Sequence, residues 1–198
     1  MNRDIFLETF HGPLHGQLAI PPAPRGLAVL ALVEPLPEDE ALAAALAADH
    51  LAVLAMPLLT EQELHFPDAA YNVPLLAHRF TDLLNLLRYD GDTERLPVGL
   101  YAEGHAAPAA IRAAALKDAQ VGAVACHGGL IDLAGRENLH LLAAPLLMLV
   151  DADDQASQTS FRRASGYISA PKELRSLAPG ESPGSHVAQW FGDHLQAI

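Results

Sequence analysis

The chain has 198 residues, of which 51% are hydrophobic and 18% charged, a balance that excludes intrinsic disorder and predicts one globular domain over residues 1–198. Twenty-four acidic residues against 12 basic ones give a formal net charge of −12. Nucleic acids and anionic membranes select basic surfaces, so we expect neither as a partner. The single cysteine, Cys126, cannot form an internal disulfide, and the N-terminus lacks the apolar core of a signal peptide. These features predict a cytoplasmic protein.

The sequence predicts strands and helices that alternate along the chain. Continuous apolar runs and short β-rich segments predict strands at 5–9, 17–20, 27–33, 51–56, 98–102, 121–126, 145–150 and 173–178. Helical periodicity and acidic first turns predict helices at 38–49, 73–89, 106 onwards, 157–165 and 185–197. Residues 128–144 are expected to form a loop with one short helix.

This alternation predicts an α/β protein with a mainly parallel sheet of about eight strands, helices on both faces and an N-terminal antiparallel hairpin. Ligands of such sheets bind at the carboxyl ends of the strands. We therefore expect a small-molecule ligand at that edge, and a homodimer is compatible with the same features. The residues that end the central strands are the candidates for function: Glu34, Pro57, Glu103, Gly104, His105, Cys126, His127 and residues 151–154.

The stretch 96–117 is the organising element of the prediction. It contains a short buried strand, a tight turn at residues 103–105 and an alanine-rich helix. A strand, a sharp turn and a closely packed helix form the layout of a nucleophile elbow, which presents one side chain above the sheet. Here the apex of the turn is Gly104, which has no side chain.

Segments that resemble a known family extend over nearly the whole chain. They are GQLAIPPAPRGLAVLA (16–31), MPLLTEQE (56–63), NVPLLAHRF (72–80), LPVGLYAEGHAAPAAIRAA (96–114), HGGLIDLAG (127–135), LLMLVDADD (146–154) and WFGDHL (190–195). In this order they resemble small dienelactone-hydrolase-like proteins of the α/β-hydrolase superfamily, including those fused to phosphoribosyltransferase domains. The resemblance implies an α/β-hydrolase fold without a sizeable cap domain.

The resemblance also places the family's catalytic parts on this sequence. The nucleophile falls on Gly104, and the oxyanion loop falls on residues 33–37 (VEPLP). There Pro35 has no backbone N–H to donate, and Glu34 places an anion where an oxyanion should be stabilised. The triad acid falls on Asp154. The triad histidine falls on Pro183, or on His186 if the alignment is shifted.

Other groups near the turn are alternatives to a nucleophile at Gly104. Glu103 directly precedes the apex, so its side chain is expected to point elsewhere. Cys126 and His127 are neighbours on a strand and should point to opposite faces, which makes Cys126 a small buried hydrophobe. A divalent metal near Glu103, His105 and His127 is an alternative, but no metal-ligand spacing supports it.

Two main hypotheses follow from these residues. The preferred one is an α/β-hydrolase-fold protein that has lost serine-type hydrolysis and acts as a ligand-binding or interaction module, with Glu34, Glu103, Gly104, His105, Cys126 and His127 around the site. The alternative is a hydrolase of small esters or lactones whose rearranged machinery uses Asp154 and His186. We predict no cofactor and no metal for either.

Overall fold

The structure is a computed structural model that describes residues 1–33 and 37–195, with only the backbone described at residues 37 and 38. Within these ranges, none of the helices is both long and apolar enough to cross a membrane.

Eight strands form one sheet in the order β1-β2-β4-β3-β5-β6-β7-β8. Their bounds are β1 (Asn2–Leu7), β2 (Leu14–Ala19), β3 (Gly26–Leu32), β4 (Leu51–Pro57), β5 (Val98–Glu103), β6 (Val121–His127), β7 (Leu146–Asp151) and β8 (Lys172–Leu177). Strands β3 to β8 pair in parallel, whereas β1 and β2 form an antiparallel hairpin that joins the sheet through β4. The predicted fold class, including the N-terminal hairpin, is confirmed.

Six helices in the described part of the chain connect or follow these strands. They are α1 (Pro37–Ala48), α2 (Val73–Arg88), α3 (Ala107–Leu116), α4 (Arg136–Leu141), α5 (Gln155–Ser165) and α6 (Gly184–His194). The region 128–144 contains a short 3-10 turn and α4, close to the single short helix that was predicted. Residues 196 and 197, the end of the predicted C-terminal helix, lie outside the described residues, as does residue 198.

Helices cover both faces of the sheet, so the central strands are buried on both sides. One apolar cluster joins the sheet to α2, α3, α4 and α5, and a second joins the opposite face to α1 and α6. All seven residues of β3 are buried, which explains why this strand is a continuous apolar run without alternation. With both faces covered, the carboxyl edge of the parallel strands is where loops can form a site.

Candidate functional site

The turn between β5 and α3 forms the sharp corner that the sequence predicts. β5 ends at Glu103, a 3-10 turn covers Gly104–Ala106, and α3 begins at Ala107. Gly104 has a φ of +49°, in the left-handed region that glycine adopts at low cost. A Cβ added to Gly104 would meet no atom within 4 Å. The corner thus has room for a side chain at its apex but carries none.

The loop after β6 lies directly against this apex. A Cβ added to Gly129 would lie 2.1 Å from the carbonyl oxygen of Gly104 and 3.1 Å from the Cβ of Ala107. The φ of Gly129, +93°, also favours glycine. Close backbone contact between the two loops therefore requires a glycine at position 129 and holds the corner in place.

An open cavity of about 460 Å³ lies beside the apex, at the carboxyl edge of the parallel strands. This volume falls within the range of small-molecule sites. Its described walls come from the ends of β3, β5, β6 and β7 and from the loop before α2. The lining residues are Ala31, Leu32, Val33, Ala70, Tyr71, Glu103, Gly104, His105, His127, Gly128 and Asp151.

His127 lies between two carboxylates in the wall of this cavity. Its Nδ1 is 3.5 Å from Oε1 of Glu103, and its Nε2 is 3.4 Å from Oδ1 of Asp151. Glu103 is in register with His127 across β5 and β6, so their side chains leave the sheet on the same face. Below them the fully buried Tyr101 donates a hydrogen bond from its hydroxyl group to Glu103.

Glu103 and His127 stabilise each other's charged forms. The adjacent Glu103 carboxylate raises the pKa of His127 above its ordinary value, and Asp151 adds to this effect. Burial alone would raise the pKa of Glu103, but the hydrogen bonds from His127 and Tyr101 hold that pKa below its usual range. Burial also raises the pKa of Tyr101, which keeps its phenol protonated as a donor. The cluster can hold a proton on His127 while the Glu103 carboxylate stays charged.

Cys126 takes no part in the cavity. Its side chain is fully buried in the apolar cluster on the α2–α5 face, opposite the side to which His127 points. Burial raises the pKa of its thiol to about 12, so the reactive thiolate is disfavoured at neutral pH. The prediction of a buried hydrophobe is confirmed, whereas the inclusion of Cys126 among the residues around the site is wrong, because the β6 pleat turns it into the core.

Asp154 and His186 lie in two different settings. Oδ1 of Asp154 accepts a hydrogen bond of 3.0 Å from the backbone N–H of Ser157 and thereby caps α5. Hydrogen bonds from the side chain and backbone of Ser157 hold the pKa of Asp154 below its usual range. His186 contacts Glu181 at 2.8 Å and Arg175 at 3.4 Å. Neither residue is among the described cavity-lining residues. No hydrogen bond in the described part of the chain joins the side chain of Asp154 to that of His186.

Two further sequence predictions concern the oxyanion loop and a metal. Glu34 and Pro35 lie outside the described residues. Glu103, His105 and His127 all line the cavity, as the sequence places them. Among the residues that the structure describes, no group of three or more histidine, cysteine, aspartate or glutamate side chains is placed to hold a metal ion.

The sequence pattern does not predict two features of the site. Asp151 belongs to the strand-end candidates 151–154, but the sequence does not predict that it contacts His127. Tyr71 comes from the long connection before α2 and has its ring 4.1 Å from the ring of His105. Glu103 is one of the predicted site residues and lines the cavity, whereas its position before the apex predicts a side chain that points elsewhere. Counting alternate positions on β5, β6 and β7 identifies the shared face of Glu103, His127 and Asp151.

Solved structures with the same architecture include enzymes that act on esters and lactones. A dienelactone hydrolase from Anabaena variabilis superposes with a TM-score of 0.90 at 26% sequence identity, and the match covers 99% of each chain. A cold-adapted esterase from an Arctic intertidal metagenomic library superposes with a TM-score of 0.76 at 13% identity, over 98% of this chain and 94% of the other. The second likeness concerns the fold alone.

Curated relatives add a second line of similarity. Two Mycobacterium tuberculosis proteins, from strains CDC 1551 and H37Rv, are named as phosphoribosyl transferases and are each 34% identical to this chain over 198 residues. The match covers 92% of this chain but 44% of each relative, so the chain spans less than half of their length. No protein-family model matches the chain.

The fold and these similarities define the class of the protein. The chain has the α/β-hydrolase fold, with a mostly parallel eight-stranded sheet and an antiparallel N-terminal hairpin. It resembles dienelactone hydrolase over its whole length. Its curated relatives are named as phosphoribosyl transferases, which agrees with the predicted resemblance to proteins fused to phosphoribosyltransferase domains. The family resemblance predicted from the sequence is confirmed.

Proposed function

We propose that this chain is an α/β-hydrolase-fold protein that has lost serine-type hydrolysis and binds a small molecule in the cavity beside Gly104. The observation that carries the proposal is the apex itself. Gly104 occupies the corner where the fold presents its nucleophile, has a left-handed backbone and carries no side chain. Acyl transfer through a covalent intermediate needs a nucleophile at that point.

The rest of the cavity supports the same proposal. Among its described lining residues there is no serine, threonine or cysteine, and the chain's single thiol is buried on the other side of β6. The cavity nevertheless keeps the volume and the mixed polar and apolar lining of a ligand site. The fold and the cavity therefore support the binding of a small molecule more strongly than they support catalysis of hydrolysis.

The alternative, hydrolysis by rearranged machinery that uses Asp154 and His186, has less support. A base and its orienting carboxylate must lie within hydrogen-bond reach of each other and of the substrate. Here the Asp154 carboxylate accepts a hydrogen bond from Ser157 on its own helix, and the side-chain partners of His186 are Glu181 and Arg175. The single buried cysteine fits the cytoplasmic location that we propose for the chain.

Ester turnover tests the proposal. We expect the purified chain to hydrolyse p-nitrophenyl acetate and p-nitrophenyl butyrate no faster than a buffer blank that contains an equal mass of an inert protein. Asp154→Asn and His186→Asn should leave this background rate unchanged. Saturable turnover that survives repurification and that either substitution abolishes would overturn the proposed loss of hydrolysis.

A further inference from the structure

The charges around the cavity restrict the ligand that it can take. Glu103 and Asp151 contribute carboxylates to its wall, and their side chains are 33% and 62% exposed. No lysine or arginine occurs among the described lining residues, whose basic side chains are His105 and His127. A protonated His127 would offset only one of the two carboxylate charges. An anionic ligand would therefore lack a permanent cationic partner in the described wall and would meet two carboxylates.

The uncharged part of the wall indicates the chemical character of the ligand. Leu32, Val33 and Ala70 supply an apolar surface, and Tyr71, a residue that is 63% exposed, adds an aromatic ring. The face of a tyrosine ring attracts an organic cation through the quadrupole of its π system. Apolar surface, an exposed ring and carboxylates in one concave site together suit a cation that carries alkyl groups.

We propose that the cavity binds an organic ammonium ion. This inference rests on the proposed function, because it takes the cavity beside Gly104 as the ligand site and adds the chemical class of the ligand. The ammonium group would be attracted by Glu103 and Asp151, and its alkyl groups would lie against the apolar wall. The net charge of −12 would also favour the approach of a cation.

Three probes of nearly equal shape separate charge from size. Choline carries a trimethylammonium group, 3,3-dimethyl-1-butanol replaces its nitrogen with an uncharged carbon, and 3,3-dimethylbutanoate carries a negative charge. Binding of each to the purified chain is measured by isothermal titration calorimetry at about pH 8 and low salt, where charges are least screened. We expect choline to bind about five-fold more tightly than the neutral alcohol, and the carboxylate to bind weakest.

Substitutions in the cavity wall test whether choline binds in this cavity. Asp151→Asn removes an exposed carboxylate and should weaken choline about three-fold without affecting the neutral alcohol. Asp153→Asn is the matched control, because it makes the same charge change on an exposed residue two positions further along the chain that does not line the cavity. Tyr71→Leu should weaken choline, whereas Tyr71→Phe retains the ring and should not.

Each result decides the assignment. Tighter binding of choline that Asp151→Asn reduces and Asp153→Asn does not would support it. Equal or tighter binding of the neutral alcohol or the carboxylate would overturn the ammonium assignment while leaving ligand binding intact. Failure of all three probes to bind would also overturn it, whereas the proposed loss of hydrolysis is decided separately by ester turnover.

Discussion

His127 has its Nδ1 atom 3.5 Å from Oε1 of Glu103, the residue that directly precedes the glycine apex. The second ring nitrogen lies 3.4 Å from Oδ1 of Asp151. With a carboxylate beside each nitrogen, both ring N–H groups of the imidazolium form have an acceptor. The corner that lacks a nucleophile is thus bordered by an imidazole whose protonated form is stabilised, the opposite of the neutral form that a general base needs.

This arrangement predicts how His127 titrates. Because Glu103 raises the pKa of His127, Glu103→Gln should lower that pKa towards the ordinary value of about 6.5. The measurement is an NMR titration of the imidazole C–H signals. Asp153→Asn, which removes a carboxylate outside the cavity, should leave the His127 titration unchanged. An identical His127 titration in the wild type and Glu103→Gln would contradict the described contact.

The same contact predicts a pH-dependent contribution to stability. The pKa of His127 is higher in the folded than in the unfolded chain, so its stabilising effect is complete below about pH 6.5 and is lost as pH rises through the folded-state pKa. His127→Gln should therefore reduce the free energy of unfolding more at about pH 5.5 than at about pH 9. Urea unfolding at the two pH values measures the difference, and an equal loss at both would contradict the prediction.

Placing a hydroxyl group at the apex should not produce catalysis. Gly104→Ser places its side chain in open space, but Asp154 caps α5 and His186 contacts Glu181. We expect no ester hydrolysis and a loss of about 1 kcal/mol in unfolding free energy, because serine is strained at a φ of +49°.

Gly91→Ser is the control for Gly104→Ser. Gly91 also has open space around a Cβ but lacks a left-handed φ, so serine there should cost less. Chemical denaturation and p-nitrophenyl acetate turnover are compared for both variants. Ester hydrolysis that appears in Gly104→Ser and disappears when His186→Asn is added would show that the acid and base still reach the apex.

The contact between Gly129 and Gly104 predicts a large steric effect. Gly129→Ala would place a Cβ 2.1 Å from the Gly104 carbonyl oxygen at a φ of +93°, and we expect a loss of about 3 kcal/mol in unfolding free energy. Gly12→Ala separates the two causes, because Gly12 has a φ of +108° but open space. Equal losses in the two variants, measured by denaturant unfolding, would argue against close backbone contact.

A buried ion pair joins α2 to the segment that precedes it, which also contains Tyr71. Arg79 Nη2 lies 2.7 Å from Oε1 of Glu63, and the two side chains are 5% and 6% exposed. Arg79→Met should cost about 3–5 kcal/mol of unfolding free energy, because it leaves the Glu63 carboxylate buried without its partner. Arg95→Met, at an ion pair whose arginine is 92% exposed, should cost less than about 0.5 kcal/mol. Similar costs in denaturant unfolding would contradict the burial of the pair.

The fold could be predicted from sequence because its main signals are local. Continuous apolar runs such as that in β3 mark strands buried on both faces, and the glycine turn before α3 marks the elbow. The opposite directions of Cys126 and His127 follow from the two-residue period of a strand.

The site was harder to predict because its contacts join separate segments. Nothing local to Asp151 indicates that it meets His127, since that contact depends on strand order and register. Tyr71 reaches the cavity from a long connection that carries no periodic pattern. The assignment of Asp154 and His186 relied on aligned positions alone, which do not specify where side chains point.

The proposed loss of serine-type hydrolysis is tested most directly by intact-mass spectrometry of the chain after incubation with a fluorophosphonate. Such a reagent phosphonylates an activated serine with loss of fluoride, so it reports a working nucleophile without requiring the natural substrate. An active serine hydrolase treated in parallel confirms that the reagent is competent. We predict that this chain keeps its unmodified mass. One adduct per chain that Asp154→Asn or His186→Asn abolishes would contradict the proposal that serine-type hydrolysis has been lost.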